Sequence, residues 1–153
     1  MIFSLRSLCS ALAVALIAAC ASPTSKLTLT STVSPLSTTS LMGVEWIATV
    51  VEGVPYLQSP RPKLRWTSAE ALSGTGGCNA FAGRASLGQQ NSLRIGALVP
   101  VGKLCMTEPG GQEDMFFKAL EQTHQARLES GQLLMLAEDG RVILRMAKAV
   151  GSP

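Results

Sequence analysis

QEDMFFKALEQTHQARLESGQLLMLAEDGRVILRM, residues 112–146, decides the fold. Its opening carries Met115, Phe116, Ala119, Leu120 and Thr123 at spacings of one, three and four. That is the period of an amphipathic helix from Gln112 to about Thr123. Glu113 and Asp114 fall in its first turn and His124 follows its last. Both placements suit the helix dipole when the histidine is charged. The apolar runs then become short: Ala126–Glu129, Leu133–Ala137 and Arg141–Met146, separated by Ser130-Gly131 and Asp139-Gly140. Asp-Gly between two apolar runs is a strong hairpin signal, because both positions accept positive φ. In the last strand, Val142, Leu144 and Met146 are expected on one face, with Arg141, Ile143 and Arg145 on the other.

Upstream, the same short runs recur without a second helix. Val44–Val51 reads as a strand carrying Trp46. In Lys63–Thr67, Leu64 and Trp66 share a face opposite Lys63 and Arg65 unless a bulge intervenes. Ala71–Thr75 and Ala82–Leu87 flank a glycine-rich turn, and Ser92–Leu98 follows the turn Gln89-Gln90-Asn91. Many strands and one helix give an α+β class: a curved, barrel-like antiparallel β-sheet packed on one α-helix. The expected domain is Leu41 to Lys148, 108 residues, with no internal repeat.

Within the glycine-rich turn stand Gly74-Thr75-Gly76-Gly77-Cys78-Asn79-Ala80-Phe81-Ala82-Gly83. Glycines in a row between strands imply positive φ or a close backbone approach. Asn79 tolerates left-handed φ and can bond nearby backbone groups. The run lacks the Lys-Ser/Thr of a phosphate-binding loop and precedes no helix, so it reads as a tight turn.

These residues, together with several outside the turn, resemble the META domain family, which includes the HslJ-type heat-shock lipoproteins. The Gly-Cys-Asn-x-Phe-x-Gly core of that family is matched by Gly77, Cys78, Asn79, Phe81 and Gly83. Its first-strand tryptophan is matched by Trp46, and its later cysteine before a helix by Cys105. The helix pattern Glu-x-x-Phe-x-x-x-Leu falls on Glu113, Phe116 and Leu120. The closing Leu-x-Leu and Asp-Gly fall on Leu134, Leu136, Asp139 and Gly140. The chain departs from the family at Val101, where a threonine is common, and at Ala85, where an aromatic residue is common. The resemblance covers residues 41–148 and implies a part in stress tolerance.

The N-terminus points to export. Arg6 is the first charge, and Ser7 to Ile17 are apolar or small. That core is shorter than the about 20 residues needed to span a bilayer, and it fits a secretory leader. It runs into Ile17-Ala18-Ala19-Cys20, which resembles the lipobox of bacterial lipoproteins. The expected product is cut after residue 19 and lipidated at Cys20. The competing reading is ordinary leader cleavage at Ala19-Cys20-Ala21. Two or more lipid chains anchor stably where one does not. Ala21 is not the aspartate that retains enteric lipoproteins at the inner membrane. The expected location is thus the cell envelope, at the outer membrane facing the periplasm in a Gram-negative cell. From Ala21 to Ser40, twelve of twenty residues are Ser or Thr and two are Pro. Residues 20–40 are therefore expected to form a flexible tether spanning roughly 25 Å.

Without Arg6, twelve basic and ten acidic side chains remain, a balance of +2. That is too weak and scattered for a nucleic-acid partner or a polybasic membrane patch. After export, a disulfide between Cys78 and Cys105 is permissible. Two buried free thiols, a reactive thiol and a metal pair are the alternatives. A nucleophile would need a base, and His124 is the single histidine. Zinc would need about four N/S ligands. No metal, cofactor or catalytic residue is therefore expected. His124 reads as a helix-end surface residue, and Glu113 and Asp114 as a solvated first turn. Arg141 and Arg145, with Lys63 and Arg65, could form a basic interaction surface around Ile143.

Three functions are compatible: a non-enzymatic envelope lipoprotein acting on a protein partner, a small-molecule or glycan-binding module, and an enzyme. The first is the leading expectation, with membrane contact through the lipid. A deep apolar pocket with convergent polar groups would favour a ligand. A filled sheet would favour protein contacts.

Overall fold

The computed structural model describes residues 35–102, 105 and 111–151. The expected leader, Cys20 and the tether as far as residue 34 lie outside the described residues. The elements run α1 Thr38–Leu41, β1 Trp46–Val51, β2 Val54–Pro55, β3 Lys63–Ser68, β4 Ala71–Thr75 and β5 Ala80–Leu87. A short 3-10 turn follows at Gln89–Asn91, then β6 Leu93–Ile95, β7 Val99–Val101 and α2 Gln112–Glu121. The chain closes with β8 Gln125–Glu129, β9 Gln132–Leu136 and β10 Val142–Lys148.

The main path of the sheet is β6-β5-β4-β3-β1-β10-β9-β8, with β2 added to β1 and β7 to β5. Its two ends meet. Ser92 forms an antiparallel bridge with Gln125, and the Leu93 N–H donates to the His124 carbonyl at 2.9 Å. The result is a nearly closed antiparallel barrel with one long helix packed against it, the α+β class that the sequence predicts.

Alternation explains which face is inward. In β3, Leu64 and Trp66 are buried while Arg65 is exposed, so the two apolar residues share a face. Trp46 and Ala48 of β1, Leu72 of β4 and Phe81 of β5 join them. One row runs in register across four strands: Trp46, Leu64, Gly74 and Phe81. Gly74 is a spacing residue in that row. A Cβ there would lie 1.9 Å from the Lys63 carbonyl oxygen and 2.9 Å from the Phe81 ring. The helix lays Phe116, Ala119 and Leu120, all fully buried, onto this core. Fully burying each large apolar side chain contributes about 1.5–3 kcal/mol.

Three expectations are corrected. In β10 the register shifts between Val142 and Leu144, so strict alternation fails. Ile143 and Leu144 both enter the core, and Ile143 is not on the arginine face. The expected strand Ser92–Leu98 is shorter: β6 covers Leu93–Ile95, and β7 begins only at Val99. The Gly96 N–H still donates to the Arg84 carbonyl at 2.9 Å, and both strands run antiparallel to β5 with the register shifted by one residue between them. β6 then pairs with the far half of β5 and β7 with the near half. The ordered fold also begins before Leu41. Ser37 and Ser40 cap α1 reciprocally. Leu36 is buried, and its N–H donates to the Asn91 side-chain oxygen at 2.7 Å. Leu36 and Leu41, joined by a capped turn, fasten residues 36–41 to the domain.

Candidate functional site

The turn between β4 and β5 is built from residues that could not be much else. The Gly76 N–H donates to the Asn79 carbonyl at 2.8 Å, which closes the turn. Gly77 has φ +121, outside the range of ordinary residues, and a Cβ there would lie 2.9 Å from the Pro60 carbonyl oxygen. At Gly76 a Cβ would lie 2.6 Å from both Glu113 and Phe117. The glycines thus let the turn press directly onto α2.

What it meets there is the Glu113 carboxylate, 5 % exposed. Oε1 accepts from the backbone N–H of Cys78 at 3.0 Å and of Asn79 at 2.7 Å. Oε2 accepts from the Asn79 side-chain amide at 2.9 Å. The Asn79 side-chain oxygen in turn accepts from the Cys105 N–H at 2.7 Å, and its amide reaches the Cys105 carbonyl at 3.4 Å. A disulfide joins Cys78 to Cys105 across 27 residues, with Cα atoms 5.9 Å apart. Glutamate, asparagine and disulfide together bind the turn, the chain at Cys105 and the start of α2 into one buried polar unit. Phe81, Phe116 and Phe117 close it on the apolar side, with ring centroids 5.4–6.2 Å apart.

A second layer supports the first. The buried Tyr56 hydroxyl donates to the Gly76 carbonyl at 3.1 Å. Burial, and then the negative charge of Glu113, push its pKa above the usual tyrosine value. The Gln112 side-chain oxygen accepts from the backbone N–H groups of Leu57 and Gln58, both at 3.2 Å, and its amide donates to the Pro55 carbonyl at 3.1 Å. The loop after β2 is thereby fixed to the first helical position of α2. Between loop, turn and helix lies an open cleft of about 490 Å³, whose walls include Gln58, Ser59, Cys78 and Glu113.

Gly77, Cys78, Asn79, Phe81 and Cys105 therefore meet at one place. Trp46 lies in the core at the far end of the Gly74 row, and its indole N–H has no hydrogen-bond partner among the described residues. Gly83 sits on β5, where a Cβ would lie 2.8 Å from Leu98. Of the two departures from the family pattern, Ala85 is buried and Val101 exposed. Glu113 is not solvated, as its place beside Asp114 suggests. It stands three residues before Phe116, so both project to the inward face. Asp114 points away and pairs with Lys118 at 2.8 Å. The position of Glu113 relative to Phe116 was the available signal. Tyr56 and Gln112 carry no comparable signal in the sequence.

The expected arginine surface lacks Ile143 at its centre, because Ile143 is buried. Arg141 lies in the turn before β10, where it pairs with Glu52 and faces Asp139 at 3.8 Å. Lys63 pairs with Glu45 at 3.1 Å. Arg145 stands across from Val50 and Leu134 in the sheet. The Arg94 guanidinium donates to the His124 Nε2 at 3.2 Å. Among the described residues, no three His, Cys, Asp or Glu side chains gather as a metal site would require. No described helix is long and apolar enough to cross a membrane.

Three solved structures share the architecture. An NMR structure of a protein from Burkholderia xenovorans is 21% identical, with a TM-score of 0.56, over 76% of this chain and 89% of that one. A second NMR structure is 18% identical, with a TM-score of 0.56, over 73% and 94%. The crystal structure of a DUF4847 family protein from Bacteroides vulgatus is 11% identical, with a TM-score of 0.54, over 71% and 94%. At these identities the likeness is one of fold. No curated protein matches the chain. The sequence model of the META domain matches residues 39–150, which include the turn, both cysteines and the helix carrying Glu113, and the chain therefore belongs to the META domain family.

Proposed function

We propose that this protein is a lipid-anchored, non-enzymatic component of the cell envelope whose META domain works through contacts with another protein. The observation that carries the reading is the filled interior. Trp46, Leu64, Trp66, Leu72, Phe116 and Leu133 occupy the space inside the barrel where a lipid or other apolar ligand would sit. The cleft described above opens outward. Leu57 and Val99 are 81 % and 61 % exposed, apolar surface that a partner protein would cover. Cys78 and Cys105 are joined, so in this state neither sulfur is a nucleophile. Their bond also suits an oxidising compartment outside the cytoplasm.

The anchor is the diacylglycerol that the lipobox-like Ile17-Ala18-Ala19-Cys20 would carry. It holds the domain near the periplasmic face of the outer membrane in a Gram-negative cell. A part in envelope stress tolerance accords with the HslJ-type resemblance.

The test has two parts. Labelling with an alkyne-bearing fatty acid should mark the protein and should be lost in Cys20→Ser. Crosslinking of the lipidated chain in its own cells, with and without heat stress, should yield one dominant protein adduct. A label that survives Cys20→Ser contradicts the anchor. The absence of any specific adduct contradicts the protein-contact reading and shifts attention to a small molecule or glycan.

A further inference from the structure

The cleft beside the Gly-Cys-Asn turn carries a charge that its internal hydrogen bonds do not neutralise. Glu113 is 5 % exposed and forms no ion pair among the described residues. Its three donors are uncharged N–H groups. A carboxylate offers about four lone-pair directions, so one remains for a further donor. Of the described side chains lining the cleft, Glu113 alone is charged. The start of α2 supplies roughly half a positive charge. The Glu113 charge outweighs it, while Asp114 in the same turn pairs with Lys118. The chain as a whole is basic, at +3, so this wall is negative on a molecule of opposite sign.

The rim is apolar and pre-ordered. Leu57 lies between the lining residues Tyr56 and Gln58, is 81 % exposed, and has its backbone N–H fixed by Gln112. Val54, 48 % exposed, precedes it by three residues. An exposed leucine held on a hydrogen-bonded loop loses little entropy when covered.

We infer that this cleft docks a basic segment of the protein partner, with an arginine or lysine side chain entering toward Glu113 and a neighbouring aliphatic residue covering Leu57. The inference rests on the protein-contact reading and adds the site and the partner's chemistry. Charge complementarity selects the segment: a cation gains a carboxylate already stripped of water, whereas an acidic segment meets like charge.

The probe is acetyl-Leu-Arg-amide, titrated into the isotope-labelled full chain and followed by amide NMR. Its twin, acetyl-Leu-citrulline-amide, has nearly the same shape without the charge. The arginine peptide should shift the amides of Gly76 to Asn79 and of Leu57 and Gln58. It should bind about tenfold more tightly than the citrulline twin. Leu57→Ser, on the rim and outside the buried network, should weaken it at least about threefold. Equal binding of the two peptides, or shifts confined to other surfaces, overturns the assignment. If no peptide binds here while crosslinking in cells still yields a protein adduct, the cleft assignment falls and the protein-contact reading stands. If the peptide binds as described and cells yield no adduct, the cleft's preference for a basic side chain stands, while the protein-contact reading and the partner assignment built on it fall.

Discussion

Two hairpins of this barrel do the same geometrical job by different means. The turn joining β9 to β10 is held by its own residues. The Ala137 N–H donates to the Arg141 carbonyl at 2.9 Å, Gly140 takes φ +82, and the Arg141 N–H donates to Asp139 at 2.9 Å. The turn joining β4 to β5 closes with one local bond, Gly76 to Asn79. A second local bond, from the Gly77 N–H to the Thr75 hydroxyl at 3.2 Å, supports it, but most of its ties come from elsewhere in the chain, chiefly Glu113, more than thirty residues later. The first turn is a local device that any neighbouring sheet would tolerate. The second is a tertiary device, so the turn and its contact with the start of α2 should loosen together.

The largest effect should follow Glu113→Ala. It leaves three donors at the turn without their acceptor, and an unmatched buried donor costs about 1–3 kcal/mol. With partial relaxation, urea unfolding should show a loss of about 4 kcal/mol. Hydrogen exchange should quicken at Cys78 and Asn79 while the Asp139-Gly140 turn stays protected. Equal loosening of both turns would break the distinction. Replacing Cys78 and Cys105 together by serine comes next. The chain-entropy account of a bridge across 27 residues gives a loss of about 3 kcal/mol. Because Glu113 and Asn79 still hold the turn, the double variant should fold and keep its exchange pattern there.

Tyr56→Phe should cost about 1 kcal/mol near neutral pH, the worth of its bond to Gly76. It should also change the alkaline limb. The folded Tyr56 keeps its proton above the usual value of 10.0. Between that value and the raised one, the unfolded chain binds fewer protons than the folded chain, so stability falls as pH rises. Tyr56→Phe should remove that part of the slope, which parallel urea titrations above pH 9 would show. An unchanged slope would place the alkaline loss elsewhere. Asp139→Ala should have the smallest effect, about 0.5 kcal/mol, confined to its own turn.

The same contrast explains what the sequence made legible. The Gln112–Glu121 helix, the Asp139-Gly140 hairpin and the shared face of Leu64 and Trp66 follow from periods and turn residues, which act within a few positions. The glycine run announced a turn, and its resemblance to a known family marked Cys78, Asn79 and Cys105. Periodicity does not announce a bulge, so Ile143 was placed on the wrong face. Composition does not weigh one well-placed residue, so Leu36 was assigned to the tether. Tyr56 and Gln112 act through contacts 20 and 54 or more residues away in sequence. Nothing local distinguishes them from loop and surface residues. Glu113 was the intermediate case: its spacing from Phe116 pointed inward, while its charge and its neighbour Asp114 pointed to solvent.

The most direct test of the tertiary turn is a double-mutant cycle of Glu113→Ala with Asn79→Ala, measured by urea unfolding of the full chain. Residues in one hydrogen-bonded unit couple by about 0.5–3 kcal/mol. A coupling of about 2 kcal/mol, with the double variant little worse than either single one, is the expected result. Losses that simply add, within about 0.5 kcal/mol, would mean that Glu113 and Asn79 act separately and that the turn is not held from the helix.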